Sequence, residues 1–400
     1  MLTLTHPASI ARAMTPQLRA VMHAQPLINS KRQHGGMRVV IDNRSCGEDD
    51  VRAALELVSE LNAGAALPLV VAFADPDMPI SLAGWQPPPN TFPEFHGEWV
   101  RITPIRQLLA RGHFPAWCLN GTPGRTLEPV LADSLAYTIS GGVPGSTADH
   151  SPLPGKPKIR TGVHTHAEAD VLFAKGFQFV AGWPLVAPPP QGKFRRAGSR
   201  MVAMRLLQMV QADADVDDLE DMFERDFGLA FKLLRFINSA ANGLSIQVES
   251  LQQAVLLLGY ARLKRWLALL VLASSEDPNQ LPLMGFSLRR AFFIERLHWL
   301  QTHAVDADEP FMTGLFSLLD RIFAQPFEEL LSQMRLPDAV TQSLSGGDGP
   351  YGPLLRLAAA VEADDTVAIH ACAAALHLDD ADVNRALLQS IRDADRVELG

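Results

Sequence analysis

The chain has 400 residues, 47% hydrophobic and 20% charged, with a formal net charge of -9 and a mean hydropathy of +0.06. That length predicts two or three domains, each able to bury its own core, and the balance excludes a disordered chain and argues against broad nucleic-acid binding. The N-terminal MLTLTHPASIARAM lacks the pattern of a signal peptide, and the most apolar run, Leu267 to Ala273, is far short of the roughly 20 residues a membrane span needs.

In chain order, the first half alternates strands and helices. Met37 to Ile41 reads as a strand, Val51 to Leu61 as an amphipathic helix and Leu67 to Phe73 as a buried strand. Trp99 to Ile102 reads as a strand, Ile105 to Leu109 as the start of a helix, Ala116 to Leu119 as a strand and Glu128 to Leu135 as a helix. Tyr137 to Ile139 and Lys158 to Thr161 are strands, followed by a helix from Ala167 to Lys175. This rhythm predicts an α/β domain with a mostly parallel sheet, open or closed as a barrel. Gln86 to Asn90 and Gly141 to Lys156 are loops by composition, and Ala187 to Arg200, with three consecutive prolines and a basic cluster, is the clearest linker.

After the linker the pattern is helical. Helices are predicted over Val202 to Gln211, from Val216 with Asp215 as cap, over Arg262 to Ala273, Leu288 to Thr302, Phe311 to Phe323, Phe327 to Met334, Pro350 to Glu362, Thr366 to Leu376 and Asp380 to Asp393. The densest signal is Asp226 to Gly259. There Ala230, Leu233, Leu234 and Ile237 make a helical stripe, Asn242-Gly243 makes a turn, Ser250 and Gln253 make a capping box, and Gly259 stops the second helix.

The strings Lys232-Leu233-Leu234-Arg235, Ile237-Asn238-Ser239 and Ala254 to Gly259 resemble the signature of HDOD domains, helical modules of bacterial signalling proteins. Gly176 to Trp183 is similar to the last strand of EAL domains, TIM-barrel-like phosphodiesterases that hydrolyse cyclic di-GMP with metal ions; Lys158 to Ala174 fits the preceding strand and helix. Gln25-Pro26-Leu27 resembles a motif near the start of EAL domains fused to HDOD. The resemblance implies an α/β plus all-α protein: a degenerate, TIM-barrel-like EAL domain over residues 1–190, a linker over 191–200 and an HDOD helical bundle over 201–400.

A two-metal phosphodiesterase needs hard oxygen ligands at strand ends. Aligned by resemblance, the family's signature glutamate falls near Val40, its paired aspartates near Cys118 to Asn120, its lysine near Ser140, its later glutamate at Thr161 and its glutamine at Ala181. Those replacements imply no catalytic, metal or cofactor residues, and a protein that is not an enzyme. The HD-type alternative fares no better: the pair's place in Gly314 to Asp320 is taken by Ser317-Leu318, with Asp320 as a buried or capping carboxylate.

Other features have plainer readings. His164-Thr165-His166 could pair on a metal, but without a third ligand it reads as a loop or helix start. The GGD within Ser343 to Gly349 reads as a turn between helices, and Lys193, Arg195, Arg196 and Arg200 as a solvated hinge. Three separated cysteines, Cys46, Cys118 and Cys372, form no CxxC pair and fit a reducing compartment.

The expected function is non-catalytic signalling by protein–protein contact in a cyclic di-GMP pathway, in the cytoplasm, without membrane or nucleic-acid partners. Lys232, Arg235, Asn238 and Ser239 are the candidate partner-binding residues; the same Asn238 and Ser239 also suit a helix terminus. Two alternatives stay open. The first is a receptor that binds cyclic di-GMP without cutting it, using Arg101, Arg160 and Trp183. The second is a residual metal-dependent phosphohydrolase around Asp320. Self-association is a further open expectation.

Overall fold

The computed structural model describes residues 20–63, 66–75, 84–96, 116–118, 135–141, 155–183, 198–224, 251–272, 277–304, 308–334 and 336–397. Two compact units emerge: Gln17–Ala187 together with Leu357–Arg392, and a second built mainly from Pro188–Arg356. The sequence pattern assigned everything after residue 200 to one helical domain; Leu357–Arg392 instead groups with the first half of the chain.

The first unit contains β1 (Val21–Ile28), β2 (His34–Asp42), β3 (Leu69–Phe73), β4 (Thr91–His96), β5 (Ala116–Cys118), β6 (Tyr137–Ser140), β7 (Lys158–Arg160) and β8 (Phe179–Ala181), which close into a barrel in chain order. β1 runs antiparallel to both neighbours, β2 and β8; every other pairing is parallel. The β1–β2 hairpin turns on Asn29, whose side-chain oxygen accepts from the amides of Lys31 and Gln33, with Arg32 at φ 63°. Leu27, Val70, Ile139, Ile159, Phe179 and Ala181 pack on one another. They come from five strands around the ring, so these side chains face the lumen and fill its lower part.

Helices cover the outside. In α1 (Glu48–Asn62), Val51, Ala54, Leu55 and Val58 are buried, and the Asp50 carboxylate accepts from the Gly47 amide ahead of the helix. α2 (His166–Ala174) starts at a capping box in which Thr165 and Glu168 satisfy each other's amides. The His164-Thr165-His166 string is therefore a helix start, as the plainer reading held.

The second unit is helical: α3 (Gly198–Gln211), α4 (Val216–Glu224), α5 (Leu251–Leu272), α6 (Leu281–Thr302), α7 (Asp308–Phe316), α8 (Leu319–Phe323), α9 (Phe327–Met334) and α10 (Asp338–Ser345). Gly259 interrupts α5 with φ 74°, ψ 164°, a conformation glycine adopts without steric cost, so the predicted helix stop is a sharp kink. α6 starts seven residues before the predicted Leu288, because Asp277 caps a 3-10 turn and Pro282 fits the first helical turn. The single helix predicted over Phe311 to Phe323 breaks into α7 and α8. At the break Ser317 donates its hydroxyl to the Gly314 carbonyl and accepts from Arg290. Asp320 is partly buried at the start of α8. The GGD string lies in the turn after α10, where Gly347 has φ 73°. Three more helices follow, α11 (Gly352–Glu362), α12 (Thr366–Ala375) and α13 (Asp380–Asp395).

Candidate functional site

In parallel α/β barrels the face at the carboxyl ends of the strands carries function, because the loops that follow the strands converge there. In this barrel that face is marked by Asp42 at the end of β2 and by the start of β1, since Val21 pairs with Asp42. The lumen below it is polar. Strand alternation puts His23, Gln25 and Leu27 on one side of β1, and the register sets Gln25 opposite Arg38 and His23 opposite Val40.

Arg38 organises the interior. Its Nε and Nη2 donate to the two oxygens of Glu94 on β4, at 2.7 and 3.0 Å, and its Nη1 donates to Gln25 Oε1 at 3.1 Å. The Glu94 side chain is fully buried, so this bidentate pairing supplies the hydrogen bonds its charge needs. The chain of contacts then leaves the sheet. Gln25 Nε2 donates to Asp364 Oδ2 at 2.7 Å, and Asp364 Oδ1 lies 2.5 Å from His23 Nδ1. Asp364 belongs to the turn between α11 and α12.

The rim is equally ordered. Asp42 accepts from Arg44 and from the Thr366 hydroxyl. The Arg44 hydrogen bonds, aided by Thr366 and opposed by burial, hold its carboxyl well below the usual carboxylate range. Asn43 is buried and ties β2 to the segment after β3 through paired bonds with the Asp75 backbone, 2.7 and 3.0 Å. Asn384 of α13 accepts from the Met22 amide at 2.7 Å and donates to the Ala20 carbonyl at 2.6 Å. Burial, aided by Asp50 and Asp42, pushes the Cys46 thiol up to about 11, so this cysteine stays protonated at neutral pH.

The sequence candidates fall elsewhere. Lys232, Arg235, Asn238, Ser239 and Arg101 lie outside the described residues. Arg160 is 2% exposed; it follows the lumen-facing Ile159 and so points out of the barrel, where its Nη1 donates to Ser140 Oγ at 3.4 Å. Trp183 is buried against α2, 5.0 Å from the His166 ring, with the Arg32 guanidinium 5.3 Å from its own ring centre. Of the positions where the resemblance implied lost ligands, Val40 and Ala181 are buried lumen positions. The groups that sequence reasoning missed are His23, Arg38, Glu94 and Asp364. The signal available was slight: His23 and Gln25 two apart on β1, and a lone Arg38 among the apolar residues of β2.

Among the described residues no helix is long and apolar enough to cross a membrane, and no group of three or more His, Cys, Asp and Glu side chains is spaced to hold a metal ion.

Comparison with known proteins assigns the second unit. A family model described as the HDOD domain matches residues 200–333. The "Cyclic di-GMP phosphodiesterase CdgJ" of Vibrio cholerae is 30% identical over 233 residues, covering 58% of this chain and 54% of that protein. The "Uncharacterized protein YuxH" of Bacillus subtilis is 29% identical over 163 residues, 40% of each chain. The chain thus spans about half the length of the curated relatives it matches. A solved structure described as "PaMucR Phosphodiesterase, c-di-GMP complex" is 14% identical and covers 43% of this chain and 98% of that one, at a TM-score of 0.31, too slight a likeness to add to the fold.

One expectation is corrected here. The resemblance implied a chain that is not an enzyme, yet a relative at 30% identity is named a phosphodiesterase. Val40 and Ala181 do lack ligand atoms, but the barrel carries acidic side chains at other positions, Glu94 in its lumen and Asp42 at its mouth. The HDOD family model matches residues 200–333, and a closed α/β barrel precedes that stretch in the chain, the order that the EAL–HDOD resemblance of its motifs implies.

Proposed function

We propose that this chain is a regulator in cyclic di-GMP signalling, in which the barrel handles the cyclic dinucleotide and the HDOD domain passes the signal on by contact with a partner protein. The observation that carries the reading is the HDOD match at 200–333 in a chain related to a protein named a cyclic di-GMP phosphodiesterase. The barrel mouth supports it chemically. His23, Gln25 and Arg38 gather nitrogen donors in one lumen, a set suited to an anionic, hydrogen-bond-accepting ligand such as a phosphodiester. In the HDOD half, Lys232, Arg235, Asn238 and Ser239 are proposed as partner contacts.

Titration calorimetry of the full chain with cyclic di-GMP, with and without magnesium, tests the barrel half, alongside a turnover assay on the same sample. Saturable binding supports the reading, and turnover on that sample decides between a receptor and a phosphodiesterase. Neither binding nor turnover would contradict the barrel half of it. The partner half is tested by a pull-down with the full chain and a variant carrying Lys232→Ala and Arg235→Ala. A partner captured by both alike would remove those residues from the contact.

A further inference from the structure

Two carboxylates occupy the lumen's donors, and they are held differently. Glu94 is fixed within β4, in the sheet itself. Asp364 comes from a turn 339 residues along the chain from Gln25, at a φ of 56°, a left-handed conformation that aspartate tolerates better than most residues. Its Oδ2 accepts from Gln25, and its Oδ1 lies against His23 Nδ1 at 2.5 Å.

The same segment is tied to the rim by Thr366 on Asp42 and by Asn384 on Met22 and Ala20. Those anchors sit where β1 begins and β2 ends, on the carboxyl-end face. A carboxylate and a phosphate share the features these donors read: negative charge and paired acceptor oxygens. Asp364 therefore sits where the anionic group of a ligand would make the same bonds.

We propose that Asp364 is a built-in stand-in for the phosphate of the barrel's ligand, and that Leu357–Arg392 is a plug which that ligand displaces. The plug keeps the mouth closed until a phosphodiester competes for His23 and Gln25. The ligand's apparent affinity is then lowered in proportion to the small open fraction, and any contact that shifts this fraction regulates the barrel. The ligand assignment rests on the proposed function; the plug rests on the contacts within this unit.

The test compares the full-length wild type with Asp364→Asn, which keeps the side chain's shape and removes its charge. Hydrogen exchange is read by segment, and cyclic di-GMP binding by calorimetry. The proposal expects faster exchange across Leu357–Arg392 with β2 and β3 still protected, and binding at least about threefold tighter. Thr366→Ala loosens the same segment without touching the lumen and should act in the same direction, which keeps the test valid if Asp364→Asn folds poorly. Arg385→Ala removes only a largely exposed pair with Glu60 on the outer helix α1 and should leave binding unchanged.

Exchange of Leu357–Arg392 only in step with the barrel strands would overturn the plug. Wild-type binding that Asp364→Asn fails to tighten would overturn the stand-in. If the segment is released but neither protein binds the nucleotide, the plug stands and the nucleotide reading fails.

Discussion

The two units use buried charge in opposite ways. In the helical unit, Arg265 of α5 donates to Glu295 of α6 at 2.6 Å and to Asp308 of α7 at 2.9 Å, while its guanidinium lies 4.8 Å from the centre of the Phe311 ring. Every partner in that cluster lies on a helix that the ion pairs staple to its neighbours. Burial works against both partners' charged forms; Glu295 and Asp308 outweigh it at Arg265 and raise that group, whereas at Glu295 burial prevails and raises the carboxyl. In the barrel unit the buried charges line a lumen, and one partner, Asp364, arrives from a turn. A cluster closed among helices fixes packing. A cluster closed by a turn depends on a segment outside the sheet, the member proposed to leave.

Substitutions can break or sharpen that contrast. The largest effect is expected from Arg265→Met, which leaves Glu295 and Asp308 without their shared partner and should cost about 3 kcal/mol. Thermal unfolding checks the size, and hydrogen exchange should place the loss in the helical unit; equal loss in the barrel strands would blur the contrast. Gly314→Ala comes next. A Cβ on Gly314 would lie 2.6 Å from the backbone of Arg290 and Ala291, so α6 and α7 must separate, at about 2 kcal/mol by chemical denaturation.

Asp42→Asn should cost about 2 kcal/mol at neutral pH, because it removes charged bonds to Arg44 and Thr366. The pH dependence has a definite sign. The folded protein holds Asp42 below its unfolded value, so its contribution is complete above roughly pH 4 and is lost as pH falls through the folded value. Wild type and variant should therefore converge in acid; a gap that widens as pH falls would contradict the assignment. The smallest effect belongs to Arg385→Ala. Its pair with Glu60 has side chains 31% and 54% exposed, and less than about 0.5 kcal/mol is expected in a urea titration.

The sequence made some of this legible. α1 and α9 bury one face each, and their apolar spacing shows it. Gly259 could be read as a helix stop because of its place after Leu258, and its φ of 74° is that stop. β1 gave no strand signal because nearly all of VMHAQPLI is buried on both faces, so alternation is absent, and a proline interrupts it. β4 hid for a related reason: TFPEFH carries Pro93 and a charged Glu94 that only the closed lumen explains. The helix predicted through Ser317 failed because periodicity ignores side chains that bond back to the chain, as Ser317 does to Gly314. The site itself was the least legible part. His23, Gln25 and Arg38 look like ordinary polar residues until the register aligns them, and Asp364 reaches them only through tertiary folding.

The most direct test of the barrel account is segment-resolved hydrogen exchange on the full-length wild type with and without saturating cyclic di-GMP. The account predicts that the nucleotide speeds exchange across Leu357–Arg392, where Asp364 has been displaced, while β1 and β2 become more protected. Slower exchange in Leu357–Arg392 on a nucleotide-bound protein would contradict it, since the segment would then be gripping the ligand instead of yielding to it.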